Sequence, residues 1–236
     1  MKLRFLLLML ASTLAFNPAT LNAQSGDNTS ATATNSSVTG TNGLPEPKPP
    51  GQNFTNSAGM ELIQVPGGYW AGKYEVTQKQ FQKIMDSNPS AFAGATRPAD
   101  SVTWYEAVDF CKKMTDLDLK KKLLPEGFYY TLPTEDEWQS LVADASLGDA
   151  ITSLNGNFRS ETSPVGSAAP NSLGLYDVRG NVMEFCLSDE SKPFRFLKGG
   201  SWQDRTEDRL RPEFRWYCKP DERLNAFGIR CLLKSK

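Results

Sequence analysis

The hydrophobic pattern along the chain predicts short strands first and capped helices after them. Met60-Glu61-Leu62-Ile63-Gln64-Val65 reads as a strand, stopped by Pro66-Gly67-Gly68, and Tyr69 to Val76 reads as a second strand. Three helix starts follow, each a Thr with Glu or Gln three residues on: Thr77 with Gln80, Thr103 with Glu106, and Thr134 with Glu137. The first helix is predicted to bury Phe81 and Met85. The second sets Trp104, Val108, Cys111 and Leu117 roughly on one face, and the third carries Trp138, Leu141 and Val142. Tyr129-Tyr130-Thr131-Leu132, ahead of Pro133, reads as a short strand. Beyond Ala145 the pattern predicts only short strands and turns rich in Gly, Pro, Asn and Ser. Lys120-Lys121-Lys122 stands beside Asp116 and Asp118 and reads as a solvated helix end.

One stretch breaks this simple alternation. In Gly174-Leu175-Tyr176-Asp177-Val178-Arg179-Gly180-Asn181-Val182-Met183-Glu184-Phe185, oxygen-bearing side chains are threaded between apolar ones. Such a loop belongs inside a domain, where Gly180 permits a sharp turn and Asp177, Asn181 and Glu184 offer oxygens to a hard cation. Shortly after it, the Gly-Gly step of Lys198-Gly199-Gly200-Ser201-Trp202 predicts a close approach between backbone segments or a bulged strand.

The ends and the composition narrow the setting. Met1-Lys2-Leu3-Arg4, an apolar run from Phe5 to Phe16 and a cleavage position after Ala23 predict a signal peptide over residues 1–23, too short to span a bilayer. Residues 24–58, rich in Ser, Thr and Asn and then in Pro at Leu44 to Pro50, read as a linker that holds too little apolar surface to fold. The sequons at Asn28, Asn35 and Asn53 matter only in a source that glycosylates. A single domain is expected over residues 59–234 of a secreted or periplasmic protein. Losing Lys2 and Arg4 makes the formal charge of −1 two units more negative, which disfavours nucleic acid. There is no histidine, which excludes His-ligated metals and a His general base. Four cysteines, Cys111, Cys186, Cys218 and Cys231, allow two bridges with three connectivities in an oxidising compartment.

The motifs together resemble the sulfatase-modifying-factor family, also called the formylglycine-generating-enzyme-like domain. The resemblance runs from about Met60 to Leu233 and is carried by Gly72-Lys73-Tyr74-Glu75-Val76-Thr77-Gln78, Val102-Thr103-Trp104-Tyr105-Glu106-Ala107, Leu132-Pro133-Thr134-Glu135-Asp136-Glu137-Trp138, the Gly174–Phe185 loop, Gly199-Gly200-Ser201-Trp202 and Phe227-Gly228-Ile229-Arg230. It implies an α+β, variant C-type-lectin-like fold with short antiparallel strands, about three helices and much irregular structure. It implies a structural Ca²⁺ held by the Asp177 side chain, the Gly180 and Val182 carbonyls and the Glu184 carboxylate, and a disulfide between Cys111 and Cys231. No copper or iron is expected. The copper-binding cysteines of the family's enzymes fall here on Asp204 and Arg209, and its iron-dependent branch needs histidines that this chain lacks.

The expected function is therefore a catalytically degenerate binding or scaffold module. Its groove would be lined by Ser201, Trp202, Asp204, Arg205, Arg209 and Tyr217. Arg211 and Arg215 match a structural Arg spacing in relatives. Expected partners are an extracellular or periplasmic protein, peptide or glycan, with no nucleic acid and no membrane span after cleavage. The alternative is an oxidoreductase of the formylglycine-generating kind acting on a protein cysteine, with relocated thiols at Cys186 and Cys218.

Overall fold

The computed structural model describes residues 50–51 and 53–236. The predicted signal peptide and most of the predicted linker lie outside the described residues. Asn53–Thr55, inside the stretch read as linker, forms strand β1. It pairs antiparallel with β2 (Glu61–Val65), which pairs with β3 (Tyr69–Gly72) through the turn at Gly67-Gly68. The C-terminal strand β9 (Leu232–Ser235) closes the sheet between β3 and β4 (Phe128–Thr131), giving the order β1-β2-β3-β9-β4. A second sheet, in the order β7-β6-β5-β8, contains β5 (Met183–Phe185), β6 (Arg195–Lys198), β7 (Trp216–Cys218) and β8 (Phe227–Gly228). Its β5–β8 pair is parallel, the exception to the antiparallel strands expected. The architecture is α+β.

All three capping boxes form. Helix α1 (Gln78–Met85), α2 (Trp104–Lys120) and α3 (Glu135–Val142) each begin with the Thr hydroxyl accepting the N3 amide and the N3 side chain returning to the Thr amide. The buried faces differ in detail from the pattern. In α1 it is Ile84, not Met85, that joins Phe81 in the core. In α2 the buried stripe is Trp104, Ala107, Phe110, Cys111, Met114 and Asp118, while Val108 and Leu117 are half-buried. Asp118 is tolerated there because the Tyr130 hydroxyl donates to it at 2.7 Å. Trp138, Leu141 and Val142 of α3 are buried as expected. Beyond Ala145 there are only short strands, turns and two single 3₁₀ turns. No helix among the described residues is long and apolar enough to cross a membrane.

Candidate functional site

The two halves of the Gly174–Trp202 stretch meet face to face. The Gly180 amide donates to the Gly199 carbonyl at 2.9 Å, and the Trp202 amide donates to the Asn181 carbonyl at 2.9 Å. Both glycines are required. At Gly180 (φ 87°) a Cβ would lie 2.5 Å from the Ile151 carbonyl oxygen, and at Gly199 (φ 96°) it would lie 2.9 Å from the Val178 oxygen.

Under this junction sits a buried polar hub. Glu184 and Arg230 are both 0 % exposed. Arg230 Nε and Nη2 bind Glu184 Oε1 at 2.9 and 2.7 Å, and Trp138 Nε1 donates to Glu184 Oε2 at 2.8 Å. The same guanidinium donates to the carbonyls of Gly72 (2.9 Å) and Tyr176 (2.7 Å), so one side chain ties β3, the Asp177 loop and β5 together. Glu75 joins from the other side, accepting from the Val182 amide at 3.0 Å and from Asn181 Nδ2 at 2.6 Å. Burial pushes the Glu75 carboxyl well above the usual range, and Asp177 and Glu184 push the same way. Burial also raises Asp177.

Of the two carboxylates assigned to calcium, Glu184 is engaged within the fold and Asp177 keeps one oxygen open. A calcium site needs carboxylates with unused lone pairs converging on one point. Glu184 is already neutralised by Arg230 and capped by Trp138. Asp177 accepts the Gly166 amide at 2.5 Å on Oδ2, and its buried Oδ1 has no hydrogen-bond partner.

The predicted groove residues separate into two groups. Ser201 is buried, and its amide (2.7 Å) and hydroxyl (3.0 Å) both donate to Asp204 Oδ2. Asp204 Oδ1 accepts from Arg209 Nη1 at 3.3 Å, and the Arg209 guanidinium lies 5.0 Å over the Trp216 ring. Trp202 donates from Nε1 to the Asn225 carbonyl at 3.0 Å and meets Phe92 edge-on at 5.4 Å. Arg205 lies 5.2 Å over Phe158, whose ring is 74 % exposed. Tyr217 is not part of this set. It points to the opposite face of β7 from Trp216, beside Phe196 (ring centroids 6.4 Å) and Arg215. There Arg215 forks onto Glu135, which also accepts from the fully buried Lys198 at 2.9 Å, so Arg215 is structural. Arg211 pairs on the surface with Asp208 at 3.0 Å.

The cysteines correct the relocated-thiol expectation. Cys186 and Cys218 are both buried, sit on either side of β6, and face different hydrophobic clusters. Burial holds both thiols protonated, Cys218 at about 12 and Cys186 raised well above the ordinary thiol range. They are not a pair and not reachable. Cys111 and Cys231 do meet, with sulfurs 3.5 Å apart in the core as two thiols.

Arg230, Glu75, Lys198 and Glu135 were missed as a working group. The signal was present: a charged residue inside an apolar run, as in Tyr74-Glu75-Val76 and Ile229-Arg230-Cys231-Leu232, is exposed nowhere and so must be paired.

A family model for the sulfatase-modifying factor enzyme 1-like domain matches residues 24–235. The chain is 32% identical over 193 residues to "Chaperone protein LppX" of Paenibacillus barcinonensis, covering 57% of this chain and 69% of that protein. It is 31% identical over 128 residues to the mouse (Mus musculus) "Inactive C-alpha-formylglycine-generating enzyme 2", covering 42% of each, so it spans well under half of that protein's length. Among solved structures, PvdO from Pseudomonas aeruginosa superimposes with a TM-score of 0.63 at 18% identity, over 79% of this chain and 99% of that one; this likeness is one of fold.

Proposed function

The chain belongs to the sulfatase-modifying factor enzyme 1-like domain family, and on that premise we propose that it is an exported, catalytically silent member that binds a protein, peptide or glycan without transforming it. The observation that carries this reading is the Asp204–Arg209 ion pair, 3.3 Å long, at the two positions where the family resemblance places copper-binding thiols. Copper(I) is a soft ion that selects thiolates, and a carboxylate bound to a guanidinium offers it nothing. All four sulfurs are buried and no histidine exists to replace them. The names of two relatives, one a chaperone and one inactive, support binding over chemistry.

The surface best suited to a partner lies beside this pair, where Arg205 sits over the exposed Phe158 ring. Arginine and aromatic side chains are the residues that dominate binding energy at interfaces. Export rests on the predicted leader, and the LppX relative is consistent with it. The test has two arms. A Cu(I) titration and incubation with a Cys-x-Pro-x-Arg peptide should give neither binding nor oxidation; turnover would overturn the reading. The immobilised chain should then capture a component of the extracellular or periplasmic fraction, and Arg205→Ala with Phe158→Ala should lose it.

A further inference from the structure

Helix α1 and the loop after it enclose a surface cavity of about 470 Å³. Lys79, Gln82 and Lys83 form one wall, and the loop from Asn88 to Ala95 forms the other. That size lies within the range of small-ligand sites. Neither Arg205 nor Phe158 lines it.

One side chain fixes the loop. Gln78, the first residue of α1, is 2 % exposed and spends its whole hydrogen-bonding capacity there. Its Nε2 donates to the Phe92 carbonyl at 2.5 Å and the Pro98 carbonyl at 3.2 Å. Its Oε1 accepts from Asn88 Nδ2 at 3.2 Å and from the Gly94 amide at 3.0 Å. The amides of Gln78 and Lys79 donate in turn to the Arg97 and Ala95 carbonyls, at 3.0 and 3.2 Å. The wall is therefore set before any ligand arrives, which lowers the entropy lost on binding.

The charged groups in the cavity share one sign. Lys79, Gln82 and Lys83 stand three and four residues apart, so they lie on one face of α1. The two lysines are about 6 Å apart along the helix axis. Helix α1 contains no acid, and among the described residues no acidic side chain lines the cavity. The lysine ion pairs among the described residues are those of Lys73, Lys113, Lys198 and Lys234, which leaves Lys79 and Lys83 without an acidic partner. Lys83 Nζ donates once, to the Ser57 carbonyl at 2.6 Å, and keeps two donors. Like charges four residues apart on a helix repel, and an anion between them removes that cost.

We propose that this cavity binds a saccharide carrying carboxylate or sulfate groups. The ammonium groups take the anion, and the Gln82 carboxamide, both donor and acceptor, takes a ring hydroxyl. The lining sets a peptide aside. Peptides are held by apolar or aromatic anchors, by a sheet edge, or, when acidic, by arginine forks. Among the described residues no aromatic and no arginine side chain lines the cavity, and its walls are a helix and a loop. A saccharide presents oxygen on every side and needs none of these.

Calorimetric titration of the full chain at low salt tests this with three tetrasaccharides: a galacturonate oligomer, a sulfated heparin fragment and neutral maltotetraose. At least one charged sugar should bind, more weakly as salt is raised, and the one that binds names the anion. Lys79→Gln with Lys83→Gln keeps helix propensity and should weaken binding about tenfold at an unchanged melting temperature. Ala93→Glu sets a carboxylate on the opposite wall and should weaken binding without altering α1. Lys112→Gln with Lys113→Gln, on α2, should leave the affinity unchanged. The proposal is overturned if neither charged sugar binds, if maltotetraose binds as well as they do, or if binding survives the Lys79 and Lys83 changes. It is equally overturned if a tetraglutamate peptide binds as tightly, which would make the ligand an acidic peptide.

Discussion

Replacing Glu184 by Gln is the sharpest probe of what holds the domain together. The side chain is isosteric, so packing is kept and only the charge and one acceptor are lost. In the native protein Glu184 gives Arg230 its one close carboxylate and caps Trp138 Nε1. After the change Arg230 still donates to the Gly72 and Tyr176 carbonyls, but a fully buried cation faces neutral partners. Breaking one side of a buried ion pair costs about 3 to 5 kcal/mol. Part of this is offset, because Glu75 and Asp177 lie in the same field and ionise more readily once Glu184 is neutral. The expected loss is therefore about 3 kcal/mol, at the lower end of that range. For a domain of this size that corresponds to a fall in melting temperature of roughly 6 to 12 °C. Urea unfolding followed by tryptophan fluorescence measures it, with the m-value checking that the transition keeps its size. A loss below about 1 kcal/mol at constant m is what a surface pair would give, and it would refute the assignment of Glu184–Arg230 as the central tie.

Three further outcomes follow from the same structure. Adding a calcium chelator should leave the melting temperature unchanged; a clear drop would return a cation to Asp177 and Glu184. Glu135 has a carboxyl held below the usual range, chiefly by Arg215, so its contribution is present above the ordinary carboxylate pKa and is lost as pH falls through the lowered one. Glu135→Gln should flatten that acid limb of a stability–pH profile, and an unaltered limb would contradict the pairing. In protein from an oxidising compartment, non-reducing peptide maps should link Cys111 to Cys231, and Cys111→Ser should cost about 4 to 5 kcal/mol in the chain-entropy picture; alkylation of all four thiols in denaturant without reductant would show the bond is not made.

Local rules read the helices and the first strands well because their signals are local. A Thr with Glu or Gln three residues on satisfies orphan amides whatever surrounds it, and all three boxes form. The Gly-Gly step likewise announced the close approach seen at Val178. What failed depended on distant partners. The oxygen pattern of the Asp177–Glu184 loop does not announce that Arg230, far along the chain, engages Glu184. Tyr217 and Arg209 are near neighbours in sequence, yet strand alternation and the turn before β7 send them to different surfaces. Cys186 and Cys218 were candidates only while the strand between them was unknown.

The retained motifs become intelligible once their residues are placed. Glu75 of the first motif, Trp138 of the third, Glu184 of the loop and Arg230 of the last all converge on one buried hub, joined by contacts of 3.0 Å or less to main chain or to each other. Thr77, Thr103 and Thr134 start the helices that carry the walls. The hub residues are all buried, away from the exposed Arg205–Phe158 pair. Changing any of them leaves a polar group buried without its partner, which costs stability whether or not the domain catalyses anything. By contrast Asp204 and Arg209 satisfy each other and Ser201, so that position accepts any pair that closes the same hydrogen bonds. Family membership in this chain is thus written in its load of buried polar ties, and those ties are silent about chemistry. The Asp204–Arg209 pair leaves the hub undisturbed, because none of the hub's hydrogen bonds runs through either side chain.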